Sequence, residues 1–168
     1  MIVTHIVPHG TDIGIPAMKA ATILSLIGAF NILGGLLVGR ISDSAGRKAI
    51  AITCALFLAG AAIWLIYSKD LWMFYLFALI FGFSWGGLST VTAAMVGDIF
   101  GLHSIGMIMG TLSTAWYLGA AIGPFIGGLV YDVSNNYSVA FSICVAAMVI
   151  ATLLLALIKR ETILDRRS

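Results

Sequence analysis

Charge is what this chain has least of. Only 10% of its 168 residues are Asp, Glu, Lys or Arg, whereas soluble domains carry roughly a quarter. Glutamate occurs once, at Glu161, and histidine three times, at His5, His9 and His103. No His-Glu-x-x-His pairing is present, and the three histidines fall near the ends of apolar stretches, on opposite sides. The sequence therefore offers no zinc site and no nucleophile–base arrangement of the kind an intramembrane hydrolase needs. Cysteine occurs twice, as Cys54 and Cys144, inside apolar stretches and without metal-ligand spacing. Both read as small packing residues and are silent on redox compartment. No cofactor motif, linker, low-complexity tract or second domain is visible, and the expected cofactor and metal content is none.

What is abundant is hydrocarbon, at 61% of residues. A soluble core of this size cannot absorb so much apolar surface, but lipid can. Five stretches lack any Asp, Glu, Lys or Arg: 20–39, 49–68, 71–97, 99–131 and 133–158. Each reaches the ~20 residues a helix needs to cross about 30 Å of hydrocarbon. In lipid every backbone N–H and C=O must be paired within the protein, and runs this long without strict alternation favour helices over barrel strands. The expected fold class is an all-α, polytopic membrane protein with five complete transmembrane helices over 17–39, 49–68, 71–97, 104–131 and 139–158. Residues 1–16 read as the end of a helix whose beginning is absent, followed by an external loop from Pro8, with His9 as a turn residue. A signal peptide is a poor account of that stub, which has no basic flank and no cleavage pattern.

The few charges are sorted. Arg40, Arg47 and Lys48 lie in one turn, and Lys159, Arg160, Arg166 and Arg167 in the tail 159–168, which alternate crossing puts on the same side. Only Lys19 and Lys69 fall opposite. Cations cross a bilayer poorly during insertion, so the turn and the C-terminal tail are expected in the cytoplasm. A nucleic-acid partner is not expected; the lipid bilayer is. Trp64, Tyr67, Trp72 and Tyr75 flank the Lys69-Asp70 hairpin, as rings do at headgroup level.

Glycines recur four apart at Gly35/Gly39, Gly82/Gly86, Gly106/Gly110, Gly119/Gly123 and Gly123/Gly127. This spacing strips one helix face and lets backbones meet. Pro124, inside the fourth span, removes one helical hydrogen bond and is expected to bend it.

Two segments resemble the major facilitator superfamily of secondary transporters. The turn is similar to its cytoplasmic signature Gly-x-x-x-Asp-x-x-Gly-Arg-Lys, with Gly39, Asp43, Gly46, Arg47 and Lys48 in place. Ser44 stands where the family usually has arginine, which weakens the charge network there. The run Gly119, Gly123, Pro124, Gly127 and Gly128 resembles the family's antiporter-type motif or its copy in the other half. Ala78 stands where the first half usually carries an arginine ahead of paired glycines, here Gly82 and Gly86. Together with the short tail, this makes the chain resemble the second half of a twelve-helix bundle, from the end of helix seven to helix twelve. Segments 5–14 and 98–101 resemble bacterial monocarboxylate-transporter-type or oxalate/formate-antiporter-type members.

The resemblance implies secondary-active transport of a small solute, such as a monocarboxylate, by alternating access. A coupled proton or counter-anion and an N-terminal six-helix half would be partners, and a bacterial inner membrane the location. It implies that Arg40, Asp43, Arg47 and Lys48 form a cytoplasmic gate, with Asp43 near a helix N-terminus and the cations paired to nearby acids. It also places His5, Asn31, Ser84, Trp85, Thr114, Trp116 and Tyr117 as candidate solute contacts, with Ser89 beside them. The serines and Thr114 can instead bond back to their own helices, and His5 can be a satisfied structural histidine. No complete span holds an ionised side chain in its middle, so an anionic solute rests on the resemblance alone. The competing reading is a truncated, non-transporting fragment or a helical membrane partner.

Overall fold

The computed structural model describes residues 1–101, 103–134 and 137–157. All regular structure among them is helical. The helices are α1 (Ile2–Asp12), α2 (Ala17–Ala45), α3 (Arg47–Tyr67), α4 (Leu71–Phe100), α5 (Ile105–Ser134) and α6 (Tyr137–Leu157). α2 to α6 are each long and apolar enough to cross a membrane. The tail 159–168, with its four cations and Glu161, lies outside the described residues, as does Leu102 in the loop after α4.

The helices outrun the charge-free stretches. α2 continues through Arg40 and Asp43 to Ala45 before the chain reverses at one residue, Gly46, with φ at +93°. A side chain at that φ would be strained, which is why this one-residue turn falls on glycine. Nothing in the local chemistry stops a helix at the bilayer boundary, because charged residues are at home on a helix in water.

The expectation of an external turn from Pro8 needs correcting. α1 runs through Pro8 to Asp12, and His9 is buried, 9% exposed. Ile2, Ile6, His9 and Gly10 are the buried residues of α1, at helical spacing. Packing of that face holds the helix across a residue that cannot donate its own hydrogen bond. Thr11 Oγ1 donates to the Pro8 carbonyl at 2.8 Å, adding a local tie.

The main core lies at the end away from Gly46. Ile6, Ile23, Leu65, Phe74, Phe77 and Phe141, from α1, α2, α3, α4 and α6, are completely or almost completely enclosed there. A smaller cluster of Val38, Ala51, Cys54 and Val91 sits toward the charged turn. Leu36 and Leu37 on α2, Leu56 and Phe57 on α3, and Leu153 and Leu154 on α6 are exposed. Such outward-facing hydrocarbon suits a lipid surround.

α2 and α4 cross with backbone against backbone. A methyl group at Gly86 would overlap the Asn31 carbonyl, one at Gly34 the Phe83 carbonyl, and one at Gly82 would lie 2.5 Å from the Ile27 carbonyl oxygen. Gly39 faces Thr90, where a Cβ would lie 3.0 Å from Cγ2. Four glycines from two helices are thus consumed in one contact, the close approach expected of small residues four apart.

Candidate functional site

The glycine crossing sets the walls of a cavity of about 610 Å³. α2 contributes Leu24, Ile27, Gly28 and Asn31, spaced so that one helical face is presented. α4 contributes Trp85 and Ser89, α5 contributes Ser113 and Trp116, and α1 contributes Val3. Because Gly86 lies against the Asn31 backbone, its neighbour Trp85 is brought beside Asn31 on the cavity wall. The Trp85 and Trp116 rings are 6.2 Å apart and tilted by 31°. Behind Trp85, Phe81 meets it edge-on at 5.8 Å and itself stacks on Phe77 at 4.9 Å. One indole is therefore braced along α4, while Trp116 is 58% exposed.

The structure brings together Asn31, Trp85 and Trp116 from the sequence-predicted set, with Ser89, and adds Ser113 and Gly28. The remaining candidates sit elsewhere. Ser84 is buried and lines a smaller apolar recess of about 290 Å³ among α2, α3 and α4. Thr114 Oγ1 donates to the Gly110 carbonyl at 2.9 Å, one turn back on its own helix. Tyr117 is 70% exposed and not on the cavity wall. His5 lies beside α5, where its Nε2–H donates to the Pro124 carbonyl at 3.1 Å. Gly127 makes room for it: a Cβ there would stand 2.9 Å from His5 Nε2. Ser113 was findable, since it precedes Trp116 by three positions and so shares its helix face.

The charged turn is built around one guanidinium. Arg47 Nη2 meets Asp43 Oδ1 at 3.1 Å, and Nη1 meets Asp98 Oδ1 at 2.8 Å. Nη1 also donates to the Ala94 carbonyl at 2.7 Å. Lys48 Nζ donates to the Ala156 carbonyl at 2.8 Å. Two adjacent cations at the start of α3 thus reach the ends of α2, α4 and α6. Arg40 is exposed. Asp98 is the acid that joins this cluster from α4, legible in hindsight because α4 ends on the side where α3 begins. Asp43 pairs with Arg47 one turn on, rather than with a helix N-terminus of the described chain.

The opposite end uses rings. Tyr131 donates its hydroxyl to Asp12 Oδ2 at 3.0 Å and stacks on Tyr137 at 4.1 Å. His9 is enclosed by Phe74, Tyr137 and Phe141, at ring distances of 5.8, 5.7 and 5.2 Å. Its Nε2 is buried without a hydrogen-bond partner among the described residues. Trp64 Nε1 donates to the Met73 carbonyl at 3.2 Å, while Trp72 and Tyr67 stand out from the surface. In the motif around Pro124, Gly123 lies against Met1 and Gly127 against His5, while a Cβ at Gly119 or Gly128 would reach no described residue of another helix within 4 Å.

Residues 1–167 match the family model described as Major Facilitator Superfamily. Among similar proteins, an uncharacterized MFS-type transporter, YcxA, of Bacillus subtilis (strain 168) is 28% identical over 152 residues, covering 86% of this chain and 36% of that protein. Monocarboxylate transporter 12 of Homo sapiens is 26% identical over 163 residues, 93% of this chain and 32% of that protein. A triacylglyceride transporter of Mycolicibacterium smegmatis is 30% identical over 160 residues, 92% of this chain and 28% of that protein. The chain spans about a third of the length of the curated relatives it matches.

Proposed function

The chain belongs to the Major Facilitator Superfamily, and we propose that it is the second six-helix half of a transporter that moves a small organic anion, such as a monocarboxylate, by alternating access. The observation that carries this reading is the cavity in which Asn31, Trp85, Ser89, Ser113 and Trp116 converge from three helices, with Val3 on a fourth. Polar side chains deep in an apolar bundle usually face protein or a water-filled path, and here they face a shared open space. The monocarboxylate class is suggested by the similarity to monocarboxylate transporter 12.

In this reading a six-helix N-terminal half covers the cavity, and the two bundles rock about it. The charged turn lies on the cytoplasmic side of a bacterial inner membrane, as its cations favour. There Arg47, held by Asp43, Asp98 and the Ala94 carbonyl, binds the ends of α2, α3 and α4 into one body, and Lys48 adds α6. Asp43 is 64% exposed at its side chain, leaving it available to the covering half. His5 belongs to the seam between α1 and α5 inside this half, where its bond to the Pro124 carbonyl ties the two helices together.

Uptake of labelled lactate and, separately, of labelled phenyl-lactate into vesicles tests the proposal, with this chain present alone or with an N-terminal six-helix half, and with or without a pH gradient. Accumulation that needs both halves is expected. A chain that inserts, binds the half and still supports uptake of neither acid is instead a non-transporting membrane partner. Asp43→Asn should lower the uptake rate several-fold with insertion unchanged; identical kinetics would remove the gate role.

A further inference from the structure

The wall of the cavity is unusual in what it offers a solute. Its polar side chains are one carboxamide, Asn31, two hydroxyls, Ser89 and Ser113, and the indole N–H groups of Trp85 and Trp116; none carries a formal charge. Among the described residues, the paired cations Arg47 and Lys48 sit at the charged turn and are engaged with Asp43, Asp98 and the Ala94 and Ala156 carbonyls. Lys19 is exposed in the first turn of α2. A carboxylate withdrawn from water onto this wall would find no counter-charge, and an unpaired buried charge is costly.

What the wall does offer is two indoles from different helices. Trp85 is braced from behind by Phe81, so its orientation is set before any ligand arrives. Trp116 meets it across the α4–α5 gap and keeps more than half its surface open. Aromatic groups prefer offset or edge-on partners at 4.5–7 Å, and a pair already at 6.2 Å with free surface is poised to take a third ring. Asn31, beside Trp85 on the wall and carried by α2, can donate to and accept from a substituent on that ring.

We propose that this wall is the aryl-recognising side of the solute site: it selects a flat aromatic or conjugated body by stacking on Trp85 and Trp116, and is indifferent to the solute's charge. The proposal rests on the cavity being the solute site, and it divides the recognition. An ionised group, where the solute has one, is held by the covering half, while this chain reads the body to which that group is attached. A short aliphatic acid would then be a poor ligand for this half.

Titration of the purified chain in lipid nanodiscs, followed by indole fluorescence, tests this with four probes: phenylacetate, phenylacetamide, acetate and acetamide. The two phenyl compounds should bind within about threefold of each other, and the two small ones at least about tenfold more weakly. Trp116→Leu and, separately, Trp85→Leu should weaken both phenyl ligands by about tenfold. Trp72→Leu, which removes an exposed indole at the opposite end, should leave them unchanged. Acetate binding as tightly as phenylacetate overturns the proposal, as does phenylacetate binding without phenylacetamide, or no saturable binding by any of the four. The transport reading fails separately. Ring-selective binding by a chain that supports no uptake removes that reading and keeps this inference. Uptake of lactate unaffected by excess phenyl-lactate and by Trp116→Leu keeps transport and removes this inference.

Discussion

α4 and α5 invite comparison because they are so alike on paper. Each is 30 residues long, each carries glycines four apart, and their most apolar stretches have mean hydropathies of 1.6 and 1.4. In the bundle they part company. The glycines of α4 at 82, 86 and 87 all lie against α2, and 44% of its most apolar stretch is buried. In α5, Gly123 and Gly127 face Met1 and His5, but a Cβ at Gly106, Gly110, Gly119 or Gly128 would meet no described residue beyond its own helix backbone within 4 Å, and none of the corresponding stretch is buried. The same pattern thus marks a closed contact in one helix and an open face in the other. Glycine spacing permits close approach; a facing backbone is needed to use it.

The sharpest test of that contrast is a pair of substitutions. Gly86→Leu places four carbons into the Asn31 backbone, and should destabilise the chain by about 3 kcal/mol or more, the upper end of overpacking costs. Loss of the monodisperse, helical species in detergent, or a large fall in its thermal midpoint, is the expected reading. A midpoint unchanged by Gly86→Leu would mean that α2 and α4 do not meet as described.

Arg47→Ala asks how far α4 is also anchored by charge. It removes the ties to Asp98 and to the Ala94 carbonyl on α4, and to Asp43 on α2. The carboxylates are more than half exposed, so the expected loss is about 1 kcal/mol, shrinking as salt is raised. An effect as large as that of Gly86→Leu would move the main anchor of α4 from the glycine crossing to the turn.

At the other end of α4, His9→Phe replaces a ring whose Nε2 has no partner among the described residues with an apolar ring of similar shape. Relieving an unpaired buried polar atom should leave stability unchanged or raise it by up to about 1 kcal/mol in the same unfolding assay. A clear destabilisation would show that His9 makes a polar contact there.

The smallest effect is expected in α5. Gly119→Leu should change the stability of the chain by less than about 0.5 kcal/mol, because its Cβ points into open space. With an N-terminal half present it should reduce uptake, as the face would then be covered. An equal loss of stability in the chain alone would erase the contrast with α4.

Much of this molecule was legible in order along the chain. The five spans, the turn at Gly46 and the aromatic flank around Lys69 follow from the solvent each segment must face, and that is a local property. The motif residues Gly39 and Gly46 were findable for the same reason, although their purposes differ. Gly46 supplies a backbone angle, while Gly39 clears a path for Thr90. The helix through Pro8 was not legible, because a proline and a glycine within three residues read locally as a break. Only packing of Ile2, Ile6 and His9 overrules them.

Composition and spacing alone determined that this is a bundle of membrane-crossing helices with its cations gathered at turns. An uncharged run of that length, without the alternation of a barrel strand, satisfies its backbone in lipid by winding into a helix. Tertiary structure alone decided which polar residues share a cavity. Asn31, Trp85 and Trp116 meet because α2 and α4 lie backbone to backbone and α5 stands beside them, whereas Ser84, one position from Trp85, points into a different recess. Adjacent residues on a helix are turned about 100° apart, so neighbours in the chain part, and residues from three helices converge, only once those helices have been rotated and packed.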